Sequence, residues 1–209
     1  MSRIVVPGEI LAEKPLRMPN ALTEGSRTFS TVLGIYDEAK GALTALEGLW
    51  YPRRGDIVIG IVEEARLNSY NVELNSPFKG IIIAKFVETR LQRGDVIEAE
   101  VKELDETRTA VLMRPKKLFG GKVLDVKPSK IPRIIGRSNT MLQQIRDGTK
   151  SSVMVGMNGR VWIKGGNIAL ATETILKISE EAHTSGLTER VKAMLEKSRG
   201  PEERIPEEG

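Results

Sequence analysis

Cysteine is absent from these 209 residues, and histidine occurs once, at His183. Without cysteine there are no disulfide frameworks, no thiolate zinc clusters and no thiol nucleophiles, which fits a reducing compartment. Long apolar runs are missing too. The longest, Ile57 to Val62, has six residues, far below the roughly 20 of a membrane helix. The opening MSRIVVPGEI has neither the apolar stretch nor the cleavage site of a secretory signal. A cytoplasmic chain with no membrane partner is therefore expected. Amides are also few: Asn and Gln together number ten, against 29% charged residues, a mix that suggests a thermophile. Catalytic constellations are lacking as well. Asp56, Asp95, Asp125 and Asp147 fall at strand starts or turns, without the clustered spacing of a two-metal nuclease. His183 stands beside Glu180 and Glu181 near a helix end and reads as a dipole or capping partner. No enzymatic role, cofactor or metal is expected.

What is present is 40% apolar residues, enough for real cores in one large or two to three small domains, and a lopsided charge distribution. Residues 1–113 carry 14 Lys/Arg and 17 Asp/Glu, and residues 165–209 carry 6 and 9. Residues 114–164 hold 12 basic side chains against Asp125 and Asp147, a balance of +10. Such a segment repels itself on folding, and a polyanion is the usual reason to keep it; a solvated face with counterions is the alternative.

Turn residues divide the chain into parts. Residues 1–50 hold short apolar stretches (Ile4–Val6, Thr31–Tyr36, Ala42–Leu46) broken by Pro and Gly, which predicts small strands and hairpins. Residues 51–115 open on Arg54-Gly55-Asp56, echoed at Arg93-Gly94-Asp95, each triplet introducing a strand. Ile97, Ala99 and Val101 alternate with charged residues, a half-buried pattern. Ile57 to Val62 is apolar on both faces and so should be covered on both. With SYNVELN, KGIIIAKF and RTAVLMR, these five strands predict a small closed barrel of the OB type. Trp50, just before them, is expected to pack between domains.

Residues 116–198 have another rhythm. GGKVLDV is strand-like, SKIPRII a helical turn, and TMLQQIRDGT a helix ended by Gly148. SSVMVG and RVWIKG flank Asn158-Gly159, a hairpin signal, with Trp162 open to either core packing or an outer face. Asn167 reads as an N-cap for a helix striped by Ile168, Ala171, Ile175, Ile178 and Ala182, and a shorter helix bears Leu187, Val191, Met194 and Leu195. The acidic tail 199–209 has no apolar period and is expected to be disordered. Strand–helix–loop–helix–strand–strand–helix is the layout of a type I KH domain, here with an extra C-terminal helix. That fold clamps about four nucleotides of single-stranded RNA with a Gly-x-x-Gly loop. In this chain the loop reads Gly136, Arg137, Ser138, Asn139. Gly136 admits the RNA backbone, Arg137 supplies charge, and the helix that follows offers its positive end. A Gly136→Asp change is expected to weaken RNA binding while leaving stability near the parent's.

In the order IVVPGEIL, LEGLWYPRRGDIVIG, KIPRIIGRSNTMLQQI, VGMNGRVWIKG and EEAHTSGLTERV, residues 4–195 resemble the S1–KH RNA-binding cap subunits of the archaeal exosome. Two departures accompany the likeness: Asn139 in place of Gly, and a short link from Val87 to Arg93. The resemblance implies an α+β multidomain chain with an N-terminal β-hairpin domain that docks on a ring, an S1 barrel and a KH domain. It implies three such caps, possibly mixed with a zinc-ribbon sibling, on a hexameric ring of phosphorolytic RNase subunits that performs the catalysis. Tyr70 and Phe78 sit where S1 barrels present stacking aromatics, and each could equally fill core. The RNA-binding residues expected are Gly136, Arg137, Ser138 and Asn139 in the loop, Lys122, Lys127, Lys130 and Arg133 around it, and Tyr70, Phe78 and Lys79 on the barrel. A stand-alone RNA-binding protein or a purely structural scaffold is the alternative.

Overall fold

A computed structural model of the chain describes residues 2–18, 20–46, 50–87, 89–105, 107–182 and 186–197. It divides into two compact units, Met1–Leu49 and Trp50–Gly209. His183 and the tail 199–209, both given roles above, lie outside the described residues.

The first unit holds strands β1 (Ser2–Val5), β2 (Ile10–Ala12), β3 (Ala21–Glu24), β4 (Arg27–Ser30), β5 (Gly34–Asp37) and β6 (Ala42–Ala45). They form two antiparallel sheets ordered β1-β5-β6 and β2-β4-β3. Val5, Leu11, Tyr36 and Leu43 make a small core. Strands β2 to β4 were not expected, because they carry little apolar alternation. A buried hydroxyl helps fix them: Thr28 Oγ1 donates to the Lys14 carbonyl at 2.8 Å and accepts from the Leu16 N–H at 2.9 Å. That pair ties the Pro15 loop to the sheet.

The second unit begins with the expected barrel, made of β7 (Ile57–Ala65), β8 (Ser69–Glu73), β9 (Lys79–Ile83), β10 (Val96–Leu104) and β11 (Thr109–Leu118). It closes in the order β10-β11-β9-β8-β7, with β9 and β11 parallel. Its interior is narrow. A Cβ added at Gly60 would overlap Val72, and one at Gly80 would lie 2.9 Å from Leu112. The repeated Arg-Gly-Asp triplets act as a matched pair. The Gly55 N–H bonds the Val101 carbonyl and the Val101 N–H bonds the Asp56 carbonyl, at 2.8 and 2.9 Å. Gly94 and Asp95 do the same with Val62, at 2.8 and 2.9 Å. Each turn thus fastens the start of one long strand to the end of the other, and the +89° φ of both glycines is a conformation that side chains resist.

The remaining elements are β12 (Lys122–Asp125), α1 (Ile131–Ile135), α2 (Thr140–Thr149), β13 (Ser152–Val155), β14 (Arg160–Lys164), α3 (Ile168–Glu180) and α4 (Leu187–Lys197). The sheet runs β12-β14-β13, and the helices bury Ile131, Ile134, Ile145, Ile175, Ile178 and Val191 against it. Asn167 caps α3 by accepting from the Leu170 N–H at 3.0 Å. Gly148 does not end α2, which continues to Thr149. Its missing side chain instead admits α4, since a Cβ there would lie 2.8 Å from Leu195.

Three aromatic and apolar expectations are settled where the barrel meets this layer. Ile59, on the outer face of β7, packs with Leu118 and Trp162, so the strand is covered on its second side by the chain itself. Trp162 is therefore an interface residue, with its indole N–H donating to the Gly120 carbonyl at 2.7 Å. Trp50 belongs to the barrel core and donates to Asp56 Oδ2 at 2.9 Å, a correction to its expected place between domains. Among the described residues, no helix is long and apolar enough to cross a membrane.

Candidate nucleic-acid interface

The loop between α1 and α2 has the shape its residues imply. Gly136 has φ +75°, Ser138 +50° and Asn139 +65°, so the backbone turns through left-handed conformations three times in four residues. Gly tolerates this freely, and Asn better than most residues. Arg137, Ser138 and Asn139 are all exposed. No side chain caps α2 at Asn139, and the Thr140 N–H is taken by the Arg137 carbonyl, so anion binding there falls to the N–H groups beyond it. Gly136 is also sterically constrained: a Cβ would lie 2.7 Å from Met141 Cβ and 2.8 Å from Met141 N. The expectation that Gly136→Asp leaves stability near the parent's is therefore overturned. Any side chain here pushes against the first turn of α2.

Lys130 immediately precedes α1, Arg133 lies within it and Arg137 follows Gly136 in the loop, while Ile131 and Ile134 of the same helix are fully buried. Lys122 and Lys127 are exposed, with Lys122 on the edge strand β12 opposite Ile163.

The basic segment is not one patch. Arg160 is buried, bonding the Glu73 carbonyl at 3.0 Å, the Glu73 carboxylate and Asp125 Oδ1 at 3.2 Å. Arg146 donates to the Val153 carbonyl on the edge strand β13. Lys117 pairs with Asp95 at 2.7 Å. For these three the charge serves the fold, and a count along the sequence cannot separate them from Arg133 or Arg137.

On the barrel, Tyr70 and Phe78 are each only 7% exposed. Tyr70 belongs to the barrel core, and Phe78 meets Tyr51 edge-on at 5.2 Å. Burial removes both rings from the open stacking role expected of them. Lys79 is exposed beside them, paired in register with Glu73 and Thr109. The exposed rings are Tyr51, Phe86 and Phe119.

Asn158 was read only as a turn residue, yet it holds barrel and KH layer together. It is fully buried. Its Nδ2 donates to the carbonyls of Ile59 at 2.8 Å and Leu74 at 2.9 Å, and its Oδ1 accepts from the Ile59 N–H at 3.2 Å. The Met157 N–H adds a bond to the Ile57 carbonyl at 2.8 Å. An Asn-Gly pair signals a hairpin in any sequence, so nothing local reveals this second role.

Residues 121–169 match the KH domain family. The exosome complex component Rrp4 of Pyrococcus abyssi is 35% identical over 92% of this chain and 82% of its own length. Its namesake in Saccharolobus solfataricus is 33% identical over 94% and 89%. A crystal structure described as an exosome complex RNA-binding protein covers 72% of this chain and 97% of its own, at 30% identity and a TM-score of 0.66. With the barrel, the KH layer and both flanks inside one alignment, the chain belongs to the family of exosome complex component Rrp4.

Proposed function

We propose that this chain is a non-catalytic RNA-binding subunit of an exosome. In this reading, three copies cap a hexameric ring of phosphorolytic RNase subunits in the cytoplasm, alone or mixed with a zinc-ribbon sibling. They hold single-stranded RNA and feed its 3′ end to the pore. Residues 1–50 serve as the docking unit, 51–115 as the S1 barrel and 116–198 as the KH domain. The observation that carries the reading is the α1–α2 loop: a backbone with three positive-φ residues leading into an α2 that no side chain caps, and Lys130, Arg133 and Arg137 on α1 and its two flanks, in a chain of the Rrp4 family. Gly136, Ser138 and Asn139 provide backbone approach, with Lys122 and Lys127 as outlying phosphate contacts and Lys79 as one on the barrel.

Docking through residues 1–50 is supported by apolar side chains left outside its sheets. Ile4 and Ile35 are register partners and both exposed, as are Ile10 and Leu22 on either side of Phe29. The experiment is reconstitution of the full chain with its native ring. The parent should co-elute with the ring and, alone, should not shorten labelled RNA with or without phosphate or Mg²⁺. Ile4→Glu with Leu22→Glu should abolish co-elution while RNA affinity holds. Degradation by the purified chain in independent preparations would overturn the non-catalytic assignment. The burial of Tyr70 and Phe78 favours a second reading, in which the barrel is mainly a scaffold and the KH layer alone holds RNA.

A further inference from the structure

Asn158 is one of seven Asn in the chain, and it alone is followed by Gly. That pairing is chemically labile. The backbone nitrogen of the next residue can attack the side-chain amide carbon, and Gly has no side chain to hinder the approach. Heat-adapted proteins shed thermolabile amides, and this chain has few, yet it keeps the pair in a buried joint. The fold explains why Gly159 is not exchanged. Its φ is +84°, and a Cβ there would overlap the Val126 carbonyl and lie 3.0 Å from Pro128 Cγ. Gly156 is fixed as well, since a Cβ on it would overlap Asn158 Oδ1.

In the folded chain the atoms that this reaction needs are all engaged. Asn158 Nδ2, the leaving group, donates to the carbonyls of Ile59 and Leu74 at 2.8 and 2.9 Å. Its Oδ1 accepts from the Ile59 N–H at 3.2 Å. The Gly159 N–H, which must give up its proton for the nitrogen to attack, donates to the Gly156 carbonyl at 3.1 Å. Attack would make Cγ tetrahedral and lift Oδ1 and Nδ2 out of the plane in which these bonds hold them. Asn158 is also fully buried, away from the water that completes the reaction. Around it the joint is closed by the Met157 N–H on the Ile57 carbonyl at 2.8 Å and by Arg160 on the Glu73 carbonyl at 3.0 Å.

We infer that Asn158 is a self-modification site, gated by the joint between barrel and KH layer. While the two are docked the amide is locked. When they part, Gly159 N bonds to Asn158 Cγ, the Cγ–Nδ2 bond breaks, and the Gly159 proton leaves with the amide as ammonia. Water then opens the imide at one of its two carbonyls, restores the N–H and yields Asp or isoaspartate. The balance is one water in and one ammonia out, with no oxidant or cofactor. Either product stops the joint from re-forming. A carboxylate has no N–H for the Ile59 and Leu74 carbonyls and brings a charge into a buried site. Isoaspartate also adds a methylene to the backbone of the turn between β13 and β14. The change runs one way, so it marks each chain whose joint has opened.

The test holds the full chain in mildly alkaline buffer, folded or in guanidinium chloride, and follows amide-to-acid conversion by tryptic digestion and tandem mass spectrometry. The tryptic peptide 151–160 has Asn158 as its one Asn. Asn68, exposed and followed by Ser, is the internal clock. In denaturant Asn158 should convert faster than Asn68. In the folded chain the order should invert, with Asn158 slowed about a hundredfold or more, because it reacts only through an opened state. Glu73→Gln removes a carboxylate from Arg160 and should speed Asn158 about threefold or more while Asn68 keeps its rate. Should that variant not fold, sub-denaturing guanidinium on the parent replaces it: Asn158 should speed up while circular dichroism is unchanged. Asn158→Asp should melt below the parent. Folded and unfolded rates within about threefold for Asn158 would overturn the inference, as would a rate indifferent to loosening of the joint. An Asn158→Asp chain that melts with the parent would overturn it too, since its product would not bar redocking.

Discussion

Replacing Asn158 by Leu would leave the Ile59 N–H and the Ile59 and Leu74 carbonyls without their side-chain partner in a buried joint. Unsatisfied buried groups cost about 1–3 kcal/mol each, and partial relaxation makes a total of about 2–4 kcal/mol the expected loss. A lowered denaturant midpoint at unchanged m-value would register it. A change under 0.5 kcal/mol, the range of ordinary surface substitutions, would mean the joint contributes little. Residue-scale tests of the RNA loop must avoid Gly136, where folding and binding fail together. Arg137→Glu is cleaner, because the side chain is exposed and the backbone is unchanged. Losing one charge-assisted phosphate contact is worth about 1.5–3 kcal/mol, so RNA affinity should fall about tenfold or more while the melting temperature holds. Asn139→Gly should keep or improve affinity, because Gly suits φ +65° better than Asn. Its stability should stay within about 1 kcal/mol of the parent, as relief of strain offsets added backbone entropy.

At the scale of elements, sequence patterns were informative wherever one face of a strand or helix met water. The alternation of Ile97, Ala99 and Val101 gave β10, and the stripe through Ala171, Ile175 and Ile178 gave α3. Strands β2 to β4 were missed because so small a unit buries few side chains per strand, leaving no period to detect. Gly148 was misread because a glycine that permits close helix packing looks, in sequence, like one that stops a helix. The echoed Arg-Gly-Asp turns were seen, but their mutual pairing depends on two strands that lie side by side only in the fold. One of them carries a pH signature. Burial pushes the Asp95 carboxyl up, but hydrogen bonds from Lys117 and the Gln92 N–H more than offset this and hold it below the usual carboxylate range. A depressed folded-state pKa contributes stability above the unfolded value, about 3.9. That contribution is lost as pH falls through the folded one. Asp95→Asn should therefore melt below the parent at pH 7, with the two converging as pH drops below about 4. Parallel curves across that range would remove Asp95 from the account.

For the whole molecule, the question left by the sequence was whether the +10 segment faces a polyanion or only water. The fold divides it. Arg160, Arg146 and Lys117 serve internal contacts, while Lys130, Arg133 and Arg137 lie on α1 and its flanks. Counterion release gives each class a different reading. Affinity for a single strand falls with salt by about 0.7 on a log–log slope for every phosphate neutralised. Replacing Lys130, Arg133 and Arg137 together by Ala should thus make the slope shallower by about 2, one phosphate for each of the three cations on α1 and its flanks. These side chains are at least partly exposed, so thermal stability should change little. Arg160→Ala is the internal contrast. It should lower the melting temperature, since the Glu73 and Asp125 contacts of a buried guanidinium are lost, yet leave the salt slope as it was. Affinities measured by anisotropy from 50 to 300 mM salt separate these outcomes. An unchanged slope and unchanged affinity in the triple variant would mean that the loop cations face solvent alone. RNA binding would then have to come from the barrel.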